Sequence, residues 1–357
     1  MSKFPISLKK LENWFQRQKR ILPWRDQPTV YRVWISEIML QQTQVITVIP
    51  YFERFIARFP TVEELAAAPE EDVLKMWAGL GYYSRARNIH RAAKQVVQKG
   101  KFPENREEWL DIPGVGEYTA GAILSIAGNL PEPILDGNVE RVLSRVRRVD
   151  RKDGDSVFKQ NLWKLSEAWI GAAYEKKIQA SVFNQALMEL GAMVCIPKSP
   201  HCLRCPLQEE CEAFQRGEVD LYPPKKKKKE WIQVQENMHC ILDEAGRVLL
   251  RQRQKGEWRA GLWDLLNDLP KEMKKKWNLE ESSLGEVESR HIVTRHKIQR
   301  STSIWRSRKR KGTFLASEPD FSSDLKWVSI QSPDVAVGSA LKKTLKVVLE
   351  RLEGAHS

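Results

Sequence analysis

Two carboxyl-bearing stretches hold the residue types from which catalysis could be built. In Trp34-Ile35-Ser36-Glu37-Ile38-Met39-Leu40-Gln41-Gln42, one glutamate stands inside an apolar run. An ionised carboxylate there must be paired, must lie on a solvent face, or must keep a proton that the protein uses. In Ile134-Leu135-Asp136-Gly137-Asn138-Val139-Glu140-Arg141-Val142, Asp136 and Asn138 fall at or just before the start of a helix. Val139, Val142, Leu143 and Val146 recur along it at core-facing spacing. The partial positive charge of that helix end keeps an aspartate ionised. If the two carboxyls converge, one donates a proton and the other remains an anion. Cleaving a glycosidic bond needs such a pair, because the leaving group must be neutralised by protonation and the developing oxocarbenium ion must be faced by negative charge. Glu37 is then the acid and Asp136 the anion. The plainer alternatives are a solvent-face charge or an arginine partner at Glu37, and a simple helix cap at Asp136.

The cysteines point to a metal. Four of the five fall within seventeen residues as Cys195, Cys202, Cys205 and Cys211, spaced C-x6-C-x2-C-x5-C. Two disulfides in so short a loop would add little to a chain of this size. Structural zinc more often shows paired C-x2-C knuckles separated by a longer loop, whereas one wrapped segment with unequal gaps suits an iron–sulfur cubane held at four corners. Cys240, in Met238-His239-Cys240-Ile241-Leu242, reads as a buried strand residue.

The elements that must position these groups fall into two parts. A chain of 357 residues, 41% hydrophobic and 29% charged, is long enough for two cores. Residues up to Tyr222 read as successive amphipathic helices, and Pro223-Pro224 followed by Lys225 to Lys229 has linker composition. Beyond it, the alternation of Ile232 and Val234, the pair of apolar runs around Glu244-Ala245-Gly246, and Lys326 to Ile330 predict strands. A closing helix carries Leu341, Leu345, Val348, Leu349 and Leu352 on one face. The expected organisation is a helical domain over 1–222, a basic linker over 223–230, and a smaller α/β domain over 231–357. The 59 Lys and Arg against 46 Asp and Glu leave a formal charge of +13, which favours a polyanionic partner such as nucleic acid. No run approaches the roughly 18 apolar residues of a membrane span, so a soluble, cytoplasmic protein with no membrane partner is expected.

One further device sits between the two carboxyls. Asp111-Ile112-Pro113-Gly114-Val115-Gly116-Glu117-Tyr118-Thr119-Ala120-Gly121 joins a Pro-Gly-x-Gly turn to a new helix. Backbone N–H groups at Gly114, Val115 and Gly116 could receive phosphate oxygens without reading base sequence, although an ordinary helix–helix turn has the same composition.

Taken in order, the Glu37 stretch, Gly79-Leu80-Gly81-Tyr82-Tyr83-Ser84-Arg85-Ala86-Arg87-Asn88, the Pro-Gly-Val-Gly hairpin, Leu135 to Val139 and the cysteine loop resemble the helix-hairpin-helix DNA glycosylases. The match runs over roughly residues 5–222, and more loosely through the tail. Within that superfamily it is the adenine-removing branch that the order of motifs resembles. The resemblance implies a mainly α, two-lobed catalytic domain with one 4Fe-4S cluster and a Nudix-like C-terminal domain. It implies a monomer that acts on double-stranded DNA and removes adenine mispaired with 8-oxoguanine or guanine. It also implies that Tyr118 lies beside the reacting sugar, that Asn138 helps position the chemistry, and that Trp24, Arg25 and Gln185 surround the extruded base. Gln42 and Tyr82 match residues that enter the base stack. Relatives that couple base removal to strand scission carry a lysine nucleophile where this chain has Tyr118, and a tyrosine cannot form their Schiff base, so a monofunctional enzyme using water is expected. A lyase acting on oxidised pyrimidines and a non-catalytic DNA-binding module are the competing readings. In the tail, the family's His-x-Phe-Ser/Thr-His loop corresponds to His291-Ile292-Val293-Thr294-Arg295, followed by His296. Thr294 fits the hydroxyl position that senses 8-oxoguanine, while Val293 and Arg295 depart from the pattern. The segment after Trp263 has no Arg-Glu-x-x-Glu-Glu arrangement, so Nudix hydrolysis is not expected.

Overall fold

A computed structural model of the protein describes residues 8–225, 230–276, 278–293, 295–307 and 324–354. Its helices run in chain order as α1 Leu8–Gln18, α2 Pro23–Asp26, α3 Val30–Leu40, α4 Val45–Arg58, α5 Val62–Ala67, α6 Glu70–Trp77, α7 Ser84–Lys99, α8 Arg106–Leu110, α9 Glu117–Ile126, α10 Gly137–Arg147, α11 Asp155–Glu175, α12 Ala180–Met193, α13 Glu212–Gln215, α14 Lys271–Lys276 and α15 Ser339–Gly354. The strands are β1 Ile232–Leu242, β2 Arg247–Gln252, β3 Trp263–Asp264, β4 Leu279–Val293, β5 His296–Ser307 and β6 Leu325–Ser329. The chain divides into two compact units, Met1–Ala68 with Ser84–Lys227, and Pro69–Tyr83 with Lys228–Ser357. Four of the five linker lysines, at 226–229, lie outside the described residues. No helix among the described residues is long and apolar enough to cross a membrane.

The first unit is helical, and three of its helix starts set up the site. α3 begins where the Thr29 side chain accepts the Arg32 N–H, and it is buried on nearly every side, from Tyr31 to Met39. Trp34 packs edge-on against Trp109 with ring centroids 5.9 Å apart, so this helix forms the centre of the core rather than its surface. Its C-terminal carbonyls are gathered by the buried Arg85 of α7, whose Nη1 donates to Ile38, Met39 and Gln41 oxygens at 2.8, 2.8 and 2.6 Å. A cation at a helix C-terminus satisfies orphan carbonyls and opposes the dipole at once. α9 starts at Gly116 after a turn in which Gly114 takes φ +84°, and a Cβ at Gly114 would lie 2.9 Å from that of Asn88. α10 starts at Asp136 and buries Val139, Val142, Leu143 and Val146, the residues expected to face the core.

In the second unit the strands form one sheet in the order β3-β2-β1-β5-β4, with β6 also pairing with β2. β1 and β5 run parallel and the other pairs antiparallel. One sheet face packs on Leu341, Leu345 and Val348 of α15, and Cys240 is fully buried there. This is the mixed α/β domain expected for the tail. Near the far end of the same sheet the fully buried Arg300 bonds Glu236 and Asp264. A guanidinium taken wholly out of water needs such a carboxylate pair to offset its desolvation. The segment carrying α6 belongs to this unit, where the Tyr83 hydroxyl donates to the Val337 carbonyl at 2.8 Å.

Candidate active site

Four elements of the first unit meet around a cleft of about 450 Å3. Glu37 points into it from α3, Tyr118 from the first turn of α9, Asp136 and Asn138 from the start of α10, and Gln185 from α12. Trp24, Arg25 and Gln42 line the same cleft. Eight residues singled out along 162 positions of sequence are thus drawn to one place. Gly114, Val115 and Gly116 do not line the cleft but form the turn that launches α9 and so aim Tyr118 into it. Tyr82 lies in the second unit, and Thr294 lies outside the described residues. Gln42 and Tyr82 both hold positive φ, at 57° and 49°, a costly conformation for non-glycine residues that tends to gather at functional positions.

Glu37 is only 3% exposed, and its Oε2 accepts a 2.6 Å hydrogen bond from the Tyr118 hydroxyl. Burial pushes its carboxyl up from 4.5 to about 7, with the Asp136 charge adding to the rise, while the Tyr118 hydrogen bond and the Arg25 charge oppose it. Tyr118 is itself held well above the usual phenol range, chiefly by burial, so it stays a donor. Because the phenol donates to Oε2, the carboxyl proton of Glu37 is assigned to Oε1. A group that is protonated near neutrality and oriented by a fixed donor is suited to general-acid work. Base release that depends on this proton falls about tenfold per pH unit above pH 7. In Tyr118→Phe the loss of a hydrogen bond that favours the anion moves this alkaline limb upward by up to about one unit. A pH–rate profile of that variant with an unmoved limb would remove Tyr118 from the proton's control.

Asp136 differs from the expectation in one respect. Its Oδ1 caps α10 by accepting the Val139 N–H at 2.7 Å, and its Oδ2 accepts the Asn138 side-chain amide at 2.9 Å. Burial nevertheless pushes its carboxyl above the ordinary value of 3.8, against the pull of those donors, the Asn138 backbone N–H and Arg141. The helix end alone therefore does not hold the anion; the donated hydrogen bonds are needed against desolvation. Asn138 is fixed in turn, because Arg141 Nη2 donates to its Oδ1 at 2.8 Å and to the Gly191 carbonyl at 2.6 Å. A Cβ on Gly191 would lie 2.6 Å from that of Asn138, so α12 can approach α10 this closely only with glycine there.

Arg141 also reaches the cysteine loop, its Nε donating to the Cys195 carbonyl at 2.6 Å. Cys195, Cys202, Cys205 and Cys211 are all free thiols, and they surround one small cavity walled by Val142, Val146 and Phe214. The buried Arg145 enters this wall and places Nη1 3.4 Å from Cys195 Sγ, a cation beside prospective thiolates. Among the described residues, no three His, Cys, Asp or Glu side chains close up as a single metal ion requires. Four soft donors spread around a shared cavity fit a polynuclear iron–sulfur group, which is wider than one ion.

Two charged residues of the cleft were not anticipated from the sequence, Arg20 and Glu189. Glu189 sits in Leu187-Met188-Glu189-Leu190-Gly191, a lone acid in an apolar helix, and carries the same signal that singled out Glu37.

The profile of the HhH-GPD superfamily of base excision DNA repair proteins matches residues 35–168. An adenine DNA glycosylase of Buchnera aphidicola subsp. Baizongia pistaciae (strain Bp) is 40% identical over 261 residues, covering 72% of this chain and 71% of that protein. The chain belongs to the adenine DNA glycosylase family. Members of this family are base-excision-repair enzymes. The adenine DNA glycosylase of Homo sapiens is 43% identical over 221 residues, covering 59% of this chain and 40% of that protein. The fold extends beyond the family: a thermostable thymine-DNA glycosylase superposes with a TM-score of 0.50 at 26% identity, covering 58% of this chain and 95% of that one.

Proposed function

We propose that this protein is a monofunctional glycosylase that hydrolyses the N-glycosidic bond of adenine opposite 8-oxoguanine or guanine in double-stranded DNA, acting as a monomer. The observation that carries the reading is the buried Glu37, with a carboxyl pKa of about 7, held by Tyr118 in the same cleft as Asp136. The adenine must first leave the duplex, at a cost of a few kcal/mol that a mispair reduces. In the cleft, Trp24, Arg25 and Gln185 would enclose it. Glu37 Oε1 would donate its proton to the base at N7, so that the purine departs neutral. Asp136 would face the oxocarbenium ion as a standing anion, supported by the Val139 N–H and Asn138. Water then adds to the sugar. Tyr118 cannot form a Schiff base and supports this step over lyase chemistry.

The Gly114-Val115-Gly116 turn would grip the DNA backbone, with Gln42 and Tyr82 entering the stack. Opposite-base recognition would fall to the segment joining β4 to β5, at whose ends Val293 pairs with His296, and Thr294 of that sequence stretch would supply the hydroxyl. Cys195, Cys202, Cys205 and Cys211 would hold one 4Fe-4S cluster, which cross-links the loop through four thiolates. Cys205→Ser is expected to lose visible iron–sulfur absorption and to lower bound iron severalfold; iron content and spectrum equal to wild type would contradict this ligand set.

The deciding experiment is single-turnover incubation with a labelled duplex carrying one adenine opposite 8-oxoguanine, with and without hot alkali. Breakage only after alkali supports the monofunctional reading. Breakage without alkali would require a lyase nucleophile, and no breakage in either lane would reject adenine as the substrate.

A further inference from the structure

Glu189 is 1% exposed, yet it carries no role in the chemistry above. Its two oxygens receive every available direction of approach from a pair of arginines. Arg20 donates from its backbone N–H and Nε to Oε1 at 2.8 and 2.9 Å, and from Nη2 to Oε2 at 2.9 Å. Arg25 donates from Nη2 to Oε2 at 2.9 Å and from Nη1 to Oε1 at 3.3 Å. The same Arg25 donates from Nε to Gln185 Oε1 at 3.0 Å and from Nη1 to the Arg20 carbonyl at 3.0 Å. Gln185 passes its own Nε2 to the Ser181 carbonyl at 3.0 Å, so the orientation of its amide is dictated by Arg25 on one side and α12 on the other.

Five donors on one buried carboxylate exceed what is needed to pin a helix to a loop. The charge count is equally specific: two guanidinium groups line a cleft whose acid must stay protonated, and one carboxylate offsets half of their charge. Charged and titratable groups reach Glu37 from each neighbouring element. Arg25 comes from α2 and lowers its proton affinity, while Asp136 at the start of α10 raises it; Tyr118 from α9 lowers it by hydrogen bonding. Arg20 and Glu189 share the cleft from the segment before α2 and from α12. Without Glu189, the charges of Arg20 and Arg25 would stand uncompensated beside the acid, and Arg25 would be hydrogen-bonded only to Gln185 and the Arg20 carbonyl.

We propose that Glu189 is a positioning residue of the base pocket, whose buried carboxylate clamps Arg20 and Arg25 against the wall, sets the Gln185 amide through Arg25, and shields the Glu37 proton from their charge. The proposal rests on the glycosylase reading above. Glu189 touches no reacting atom; it acts through the two arginines.

The pH profile of single-turnover adenine release separates this role from a purely structural one. Glu189→Gln keeps size and some hydrogen bonds but removes the negative charge. Its alkaline limb is expected to move to lower pH by about one unit, with release at neutral pH down about tenfold or more. Glu189→Asp, which restores the charge, is expected to bring the limb back toward wild type. Arg25→Gln is expected to move the limb in the opposite direction, to higher pH, because it removes the cation that opposes the Glu37 proton. This variant keeps the inference testable even if Glu189→Gln does not fold. A folded Glu189→Gln with lower rate but an unmoved limb would overturn the proposal, as would an Arg25→Gln profile that superimposes on wild type. Wild-type protein that releases no adenine would instead sink the underlying reading.

Discussion

Glu37→Gln is expected to lower adenine release by at least about 100-fold, in the range spanned by loss of a general acid, while leaving the affinity for a duplex with an adenine mispair nearly unchanged. Glutamine keeps the side-chain length and can still accept the Tyr118 hydroxyl, but it has no proton to give. The variant should also separate catalysis from folding through its stability. The folded-state value of about 7 for Glu37 lies above its ordinary 4.5, so the folded protein binds a proton that the unfolded chain releases between those values. The stability this contributes is fully present below about pH 4.5 and is lost as pH rises through 7. Glu37→Gln should therefore be more stable than wild type at pH 8, by on the order of 3 kcal/mol at most, and melt at a higher temperature there, while matching it at pH 4. Single-turnover kinetics with thermal melts at both pH values check the two parts together. Release within a few-fold of wild type would remove Glu37 from the acid role; loss of release with lower stability at pH 8 would mean that the residue was structural.

Asp136→Asn has the second large effect. Asparagine is as good a helix cap as aspartate, so the Val139 N–H keeps an acceptor and α10 keeps its start. The charge is gone, and with it the anion facing the sugar cation; release is expected to fall by about 100- to 1,000-fold, the magnitude seen when a preorganised electrostatic group is removed. Asp136→Ala removes cap and charge together and should cost a further 1 kcal/mol or so of stability. The comparison of these two variants by melting temperature and by single-turnover rate isolates the charge. Equal rates in Asp136→Asn and wild type would reduce Asp136 to the plain cap that its sequence position also allows.

Much of the site was legible in residue types and spacing. The periodicity of Val139, Val142, Leu143 and Val146 located the start of α10 and hence Asp136, because a helix must bury one face and its first turn needs an acceptor. The lone acid of the Glu37 stretch was visible as an anomaly against Trp34, Ile38, Met39 and Leu40, although its surface alternative could not be dismissed until Val33 to Met39 all proved to be buried. Cys240 in a strand and Leu341, Leu345 and Val348 on one helix face followed from the same patterns. The Asp136 environment was only half legible: the favourable helix end is a local property, whereas burial is supplied by the surrounding elements. Glu189 was missed although it repeats the Glu37 pattern, since its partners Arg20 and Arg25 lie more than 160 residues away in the chain.

What the sequence determined by itself was therefore the local content: a helical part followed by a strand-bearing tail, where α10 starts, that four cysteines share one short loop, and that two carboxyls stand in unusual surroundings; the strands β4 and β5, Leu279–Val293 and His296–Ser307, were not read from it. Only the tertiary structure decided which of these meet. Convergence of Glu37, Tyr118 and Asp136 depends on the packing of α3 against α9 and the approach of α10 to α12 across Gly191, contacts between segments far apart in the chain. The same packing removes water from both carboxyls, and it is this desolvation, invisible in any short stretch, that lifts the Glu37 carboxyl from 4.5 to about 7.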